Sequence, residues 1–178
     1  MDKLVEQGSR RLKWAYEHMP VIQELDRRYR EEQPLAGLKI GMALHTEAKT
    51  GMLAVTLANA GAKICLASCN PLSTDDSVAA ALRDEYGLDV HAKKYETQEE
   101  YYNNLNAVLN ISPDYVIDDG ADLITMAHTK RSPRKLSFAG QQRQADCPIL
   151  DPCKLRSDGS GVHPKDNQRT VAVDSRDA

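Results

Sequence analysis

Between positions 38 and 130 the chain alternates four short strand-like runs with stretches of helical period, and that alternation narrows the folds open to it. The strand-like runs are 38–44, 63–67, 89–92 and 114–117; the helical stretches are 47–60, 75–86, 97–110 and one after Gly120. Gly61 and Gly87 close the first two helices, and Thr97-Gln98-Glu99-Glu100 opens the third in capping-box fashion. Strands separated by helices form βαβ units, whose right-handed crossovers give a parallel sheet. The fold class expected is therefore α/β: a doubly wound, Rossmann-like parallel sheet of about four strands.

An N-terminal helical segment precedes the sheet. From Gly8 to Glu32, Leu12, Ala15, Tyr16, Met19, Ile22, Leu25 and Tyr29 recur three or four apart and make one apolar face. Pro20 falls inside that run and predicts a kink or two abutting helices. Beyond Lys130 the character changes. Residues 131–178 contain no Glu, Tyr or Trp and follow neither helical nor strand period, so they bury too little apolar surface to offset ordering entropy. The expected organisation is residues 1–34 as the helical segment, 35–130 as a partial substrate-binding α/β domain, and 131–178 as a disordered or out-of-frame tail.

Composition excludes several function classes. A net charge of −3 gives no sign of a nucleic-acid partner. No apolar run approaches membrane length, and residues 1–14 lack a signal-peptide core, so the expected location is the cytoplasm. Cys65, Cys69, Cys147 and Cys153 form no CxxC pair, and no histidine stands at zinc-ligand spacing from them. Reduced thiols and no metal site are expected.

In open parallel sheets ligands bind at the carboxyl ends of the strands. Three polar clusters fall there: 45–50, 68–76 and 118–122. Any open α/β domain has such ends, so placement alone identifies a cleft and no chemistry. A histidine after a strand is commonly a surface residue. Asp118 before Gly120 reads as a turn and helix cap, and Asn70, Ser73 and Thr74 lead into a helix that Asp75 and Asp76 open.

The wording of these clusters is more specific. Leu44-His45-Thr46-Glu47-Ala48-Lys49-Thr50, Ser68-Cys69-Asn70-Pro71-Leu72-Ser73-Thr74-Asp75-Asp76, and Val116-Ile117-Asp118-Asp119-Gly120-Ala121-Asp122-Leu123 occur in that order. Together they closely resemble the N-terminal region of S-adenosylhomocysteine hydrolases, in an archaeal, thermophile-like form, through about Lys130. The resemblance implies NAD-dependent, reversible hydrolysis of S-adenosylhomocysteine to adenosine and homocysteine by a homo-oligomer, a tetramer in the family. It implies that His45 and Asp119 are catalytic, moving protons around C5′ and the leaving sulfur, a task suited to a side chain whose ordinary pKa lies near neutrality. It places Glu47, Thr50, Asn70 and Ser73 around the substrate. Many family members carry a threonine and a glutamate where this chain has Glu47 and Lys49, which opens the alternative of an inosyl substrate, different at C6 of the purine.

The resemblance ends where the composition changes. The one G-x-G, Gly159-Ser160-Gly161, has no third glycine and follows no strand pattern, so no residue here is expected to bind NAD. A fragment from a frameshift or truncation, inert by itself, is the leading expectation. A non-catalytic module that binds a nucleoside or pairs with a full-length subunit is the alternative.

Overall fold

The computed structural model describes residues 2–130 and 137–140, with side chains through Thr129. Helix α1, Lys3–Glu17, begins five residues ahead of the Gly8 expected from sequence, because the Asp2 carboxylate accepts the Leu4 N–H at 3.1 Å and caps it. Helix α2, Pro20–Glu32, starts at the proline, whose missing N–H costs nothing at a first helical position. The 8–32 run is thus two abutting helices.

Strand β1 (Lys39–Leu44), helix α3 (Ala48–Asn59), β2 (Lys63–Ser68), α4 (Asp76–Asp84), β3 (Asp89–His91), α5 (Gln98–Asn110), β4 (Tyr115–Asp118) and α6 (Asp122–Lys130) follow. A fifth strand, β5 (Ser137–Gly140), falls inside the stretch read as structureless and pairs with β4. The sheet is parallel throughout, in the order β3-β2-β1-β4-β5. Residues 131–136 and 141–178 lie outside the described residues, and with them most of the expected tail. The described residues all fall in a unit spanning 1–143; a second unit, 144–178, lies outside them.

The strand order decides where a site can form. From β1 the chain steps outward through α3 to β2 and α4 to β3, then returns through α5 to place β4 on the other side of β1. The direction of winding reverses between β1 and β4, and a crevice opens at their carboxyl ends. Met42 and Leu66 face Leu12, Val78 and Leu82 in one core, on the side of α1, α3 and α4. Ala43, Cys65, Ala67 and Val116 face Tyr101, Leu105, Val108 and Leu123 in the other, under α5 and α6. Each fully buried leucine contributes roughly 1.5–3 kcal/mol.

Two contacts fix the N-terminal helices on this layer. Gly8 meets α4 so closely that a Cβ there would lie 1.9 Å from the Ser77 carbonyl oxygen. Only a glycine allows α1 that approach. Asp26 of α2 is 3% exposed, and its carboxylate accepts from Tyr16 Oη at 3.1 Å, Arg30 Nε at 3.0 Å and Asn59 Nδ2 at 2.6 Å. One buried carboxylate, fully satisfied, thereby ties α2 to α1 and α3. Burial and the Asp26 hydrogen bond push the Tyr16 phenol above its ordinary value.

Candidate active site

β1 ends at Leu44 and β4 at Asp118, so His45 and Asp119 are the first residues beyond two adjacent parallel strands. His45 Nε2 lies 3.3 Å from Asp119 Oδ2, with the two side chains 37% and 35% exposed. The sequence reading required only a shared crevice; the structure puts the groups in contact. Ser73, carried by the β2–α4 loop, holds the far side of the ring, its Oγ 2.5 Å from His45 Nδ1.

The two contacts constrain the proton on the ring. A carboxylate facing Nε2 can only accept, so the contact suits a ring with its hydrogen on Nε2. In the neutral ring Nδ1 then accepts, and the Ser73 hydroxyl donates to it. In the imidazolium Nδ1 donates instead, and Ser73 turns its hydrogen to the Asn70 carbonyl oxygen, 3.1 Å away. The hydroxyl can serve both protonation states of His45 without leaving either ring nitrogen unsatisfied.

The loop that delivers Ser73 is built from hydroxyls. Thr74 Oγ1 donates to Ser68 Oγ at 2.7 Å, and Ser68 Oγ donates to the Asn70 carbonyl at 2.9 Å. Asn70 Oδ1 accepts the Leu72 N–H at 2.9 Å, an Asx turn. Asn70 therefore shapes the loop, and Ser73 reaches the ring. Asp75 caps α4, its carboxylate accepting from the Ser77 and Val78 amides, and Arg11 pairs with it from α1. Burial pushes the Asp75 carboxyl upward, but the bonds from Ser77 and Arg11 outweigh it and hold the group below its ordinary value.

Thr50 lies one helical turn beyond His45. Its hydroxyl donates to the His45 carbonyl and accepts the Glu47 N–H at 3.3 Å. Glu47 is exposed at the N-terminus of α3 and shares a cavity of about 450 Å³ with Ser73, Arg11 and Asp75. A larger cavity of about 850 Å³ runs along α1 between Trp14 and Glu47; neither His45 nor Asp119 lines it. Of the six residues expected from sequence, His45, Asp119 and Ser73 meet directly. Asn70 and Thr50 support them through the backbone, and Glu47 faces the neighbouring cavity.

Asp118 behaves as its position before Gly120 suggests. It is 1% exposed, with Oδ1 accepting the Gly120 N–H and Oδ2 the Ile124 N–H, each at 3.0 Å. Burial pushes its carboxyl above the ordinary value, against those bonds. Ala121 next takes φ +64°, a left-handed conformation that costs a non-glycine residue roughly 1–2 kcal/mol. Strain of that kind at a turn between functional elements is characteristic of sites that must aim a side chain.

Cys69, which its position in the 68–76 cluster puts beside the cleft, is a direct neighbour of this pair. Its Sγ, a ring nitrogen of His45 and a carboxylate oxygen of Asp119 all lie within 4.8 Å of one another. The register that sets Leu44 opposite Ser68 places residue 69 beside residue 45, but chain spacing alone does not reveal it. Thr46, between His45 and Glu47, is fully buried, and its Oγ1 has no hydrogen-bond partner.

The β1–α3 and β2–α4 turns do not fit an NAD pyrophosphate. Such a group needs a glycine-rich turn opening a helix N-terminus. The β1–α3 turn is instead filled by His45-Thr46-Glu47, with the Thr50 hydroxyl on the Glu47 amide. The β2–α4 turn is filled by the Ser68–Asp75 hydroxyl and carboxylate bonds.

Comparison with known proteins gives the chain a family. A family model described as S-adenosyl-L-homocysteine hydrolase matches residues 2–159, running past the point near Arg131 where the sequence resemblance ends. An adenosylhomocysteinase of Thermoplasma acidophilum is 52% identical over 133 residues, 75% of this chain and 32% of that protein. An S-inosyl-L-homocysteine hydrolase of Methanocaldococcus jannaschii is 54% identical over 129 residues, 72% of this chain and 31% of that protein. The chain thus spans about a third of the length of these curated relatives. With the family model covering most of its length, the chain belongs to the S-adenosyl-L-homocysteine hydrolase family.

Proposed function

We propose that this chain supplies the substrate-side wall and a proton-transfer pair, His45 and Asp119, for hydrolysis of a nucleosyl-homocysteine thioether. The supporting observation is the Nε2–Oδ2 contact at the β1/β4 switch point, with Ser73 behind the ring. His45 would carry a proton at Nε2 between the sulfur that leaves C5′ and the water that replaces it. Asp119 would orient that nitrogen and stabilise the imidazolium. Ser73 would keep the ring in place as its charge changes. These are positioning and proton-transfer tasks, and removal of such a group costs typically a hundredfold or more.

Because the β1–α3 and β2–α4 turns do not fit the NAD pyrophosphate, no redox step is assigned to them, and a polypeptide of these 178 residues is expected to show no turnover by itself. The relatives' names divide between adenosyl and inosyl substrates at nearly equal identity, so the base is a matter for assay. No helix of the described residues is long and apolar enough to cross a membrane.

The test is a fusion of residues 1–129 to the remaining two-thirds of the Thermoplasma relative, assayed with S-adenosyl- and S-inosylhomocysteine. The fusion should turn over one of the two thioethers. His45→Ala and Asp119→Asn should each lower kcat by about a hundredfold or more while leaving the far-ultraviolet circular dichroism unchanged. An active fusion indifferent to both substitutions would remove the pair from the mechanism.

A further inference from the structure

Two strands from β1, the sheet edge gathers a second set of chemically able side chains. β2 and β3 pair with Cys65 opposite Asp89 and Ala67 opposite His91. Alternate strand residues share a face, so Asp89 and His91 stand on the side of β3 that continues the Cys65 side of β2, the side packed under α5. Cys65 Sγ, a carboxylate oxygen of Asp89 and a ring nitrogen of His91 all lie within 4.8 Å of one another. His91 Nε2 is 2.8 Å from Asp89 Oδ1, and the Cys65 thiol is hydrogen-bonded to the same carboxylate.

We propose that Cys65, Asp89 and His91 form a binding site for a zinc-class divalent cation at the edge of the sheet, separate from the His45 site. The donors are a thiol sulfur, an imidazole nitrogen and a carboxylate oxygen, the set such ions take. Tetrahedral bonds of about 2.0–2.3 Å separate neighbouring donors by roughly 3.3–3.7 Å, which fits inside the observed cluster. In the ion-free protein protons on the thiol and the ring would occupy the space between the three groups. A cation would replace them.

A second observation points the same way. His91 lines a cavity of about 260 Å³ together with Glu96. Glu96 is 7% exposed; Asn104 bonds one carboxylate oxygen at 2.5 Å, and Oε1 has no partner. A buried carboxylate oxygen without a partner is costly, and it adds acceptor capacity to the cavity that His91 lines beside Arg83 and Lys93. The Asp89 and His91 side chains are 47% and 35% exposed, so an ion can enter from solvent, while Cys65 is fully buried and closes the inner side.

The charge balance closes. With the ring neutral, binding displaces the thiol proton to solvent and moves the imidazole hydrogen to Nδ1. One thiolate and one carboxylate then neutralise the divalent ion. Because the thiol must ionise to bind, one proton should be released per ion and affinity should rise with pH. The bound ion would fasten the three-residue strand β3 to β2.

The experiment titrates Co(II), then Zn(II), into the reduced full chain with Cys147 and Cys153 replaced by serine. One Co(II) per chain should bind, with a thiolate-to-cobalt charge-transfer band that Zn(II) abolishes. Cys65→Ser should remove the band, and His91→Ala should weaken binding at least about tenfold. Cys69→Ser, at the other site, should leave the band intact. Absence of the band in the parent, its survival in Cys65→Ser, or its loss in Cys69→Ser would overturn the site. Should Cys65→Ser unfold, unchanged affinity in His91→Ala overturns it independently.

Discussion

His45 Nδ1 and Ser73 Oγ lie 2.5 Å apart across the mouth of the crevice, although they belong to different loops. That contact gives Ser73 a role its neighbours lack. Thr74 and Asn70 hold the loop, whereas Ser73 touches the His45 ring itself.

Replacing Ser73 with alanine in an active fusion should therefore act through the ring. The neutral imidazole loses a donor at Nδ1 and the imidazolium loses an acceptor, so the orientation of Nε2 toward Asp119 weakens in both states. We expect kcat to fall by about tenfold, less than for His45→Ala, with KM little changed and Ser73→Thr restoring most of the rate. An unchanged kcat and pH–rate profile in Ser73→Ala would reduce the contact to loop packing.

Gly8→Ala should reverse the usual sign of its substitution. Inside an exposed helix alanine gains about 1 kcal/mol over glycine. Here the new Cβ would sit 1.9 Å from the Ser77 carbonyl oxygen and 2.5 Å from its carbon, so α1 must lift from α4. Overpacking of this kind costs about 1–3 kcal/mol, read as a lower urea midpoint at constant m-value. A midpoint equal to or above that of the parent would show that the two helices can part cheaply.

Glu96 supplies a pH dependence. Burial first, and Glu100 as a nearby like charge, push its carboxyl above the ordinary value against the Asn104 bond. The folded protein therefore holds this proton more tightly than the unfolded chain does. The resulting loss of stability is absent below the unfolded value of about 4.3 and complete above the raised folded value. In metal-free protein at pH 7, Glu96→Gln should raise the melting temperature by about 2–4 °C, equivalent to roughly 1 kcal/mol. The gain should shrink as the pH falls toward 4. A difference constant from pH 4 to 7 would mean that Glu96 ionises in the fold as freely as in the unfolded chain.

Much of this architecture could be read from the chain. The alternation of runs predicted four parallel strands, and Pro20 predicted the break between α1 and α2. Asp118 before Gly120 declared itself a turn former. Ser137–Gly140 gave no such signal, because Ser137-Phe138-Ala139-Gly140 has one large apolar residue where β4 has Tyr115-Val116-Ile117, and it takes its definition from pairing with β4. The same limit explains the two three-donor groups. Cys65 and His91 are twenty-six positions apart, far from any local ligand spacing, and only the β2–β3 register makes them neighbours. The Ser73–His45 contact likewise depends on a loop whose shape is set by Ser68, Asn70 and Thr74.

The reversal of winding between β1 and β4 also sets an order of events. Asp119 lies seventy-four positions after His45, and everything between them must leave the ribosome before the two can meet. Until β4 arrives, β1, β2 and β3 with α1 to α4 form a half-sheet whose β1 edge shows unpaired amides and carbonyls, an invitation to pair with another nascent chain. Closing that edge and bringing Asp119 to His45 are one docking step. A chain interrupted anywhere between α4 and β4 is thus both without its site and exposed to aggregation, and chaperone dependence should be greatest at those lengths.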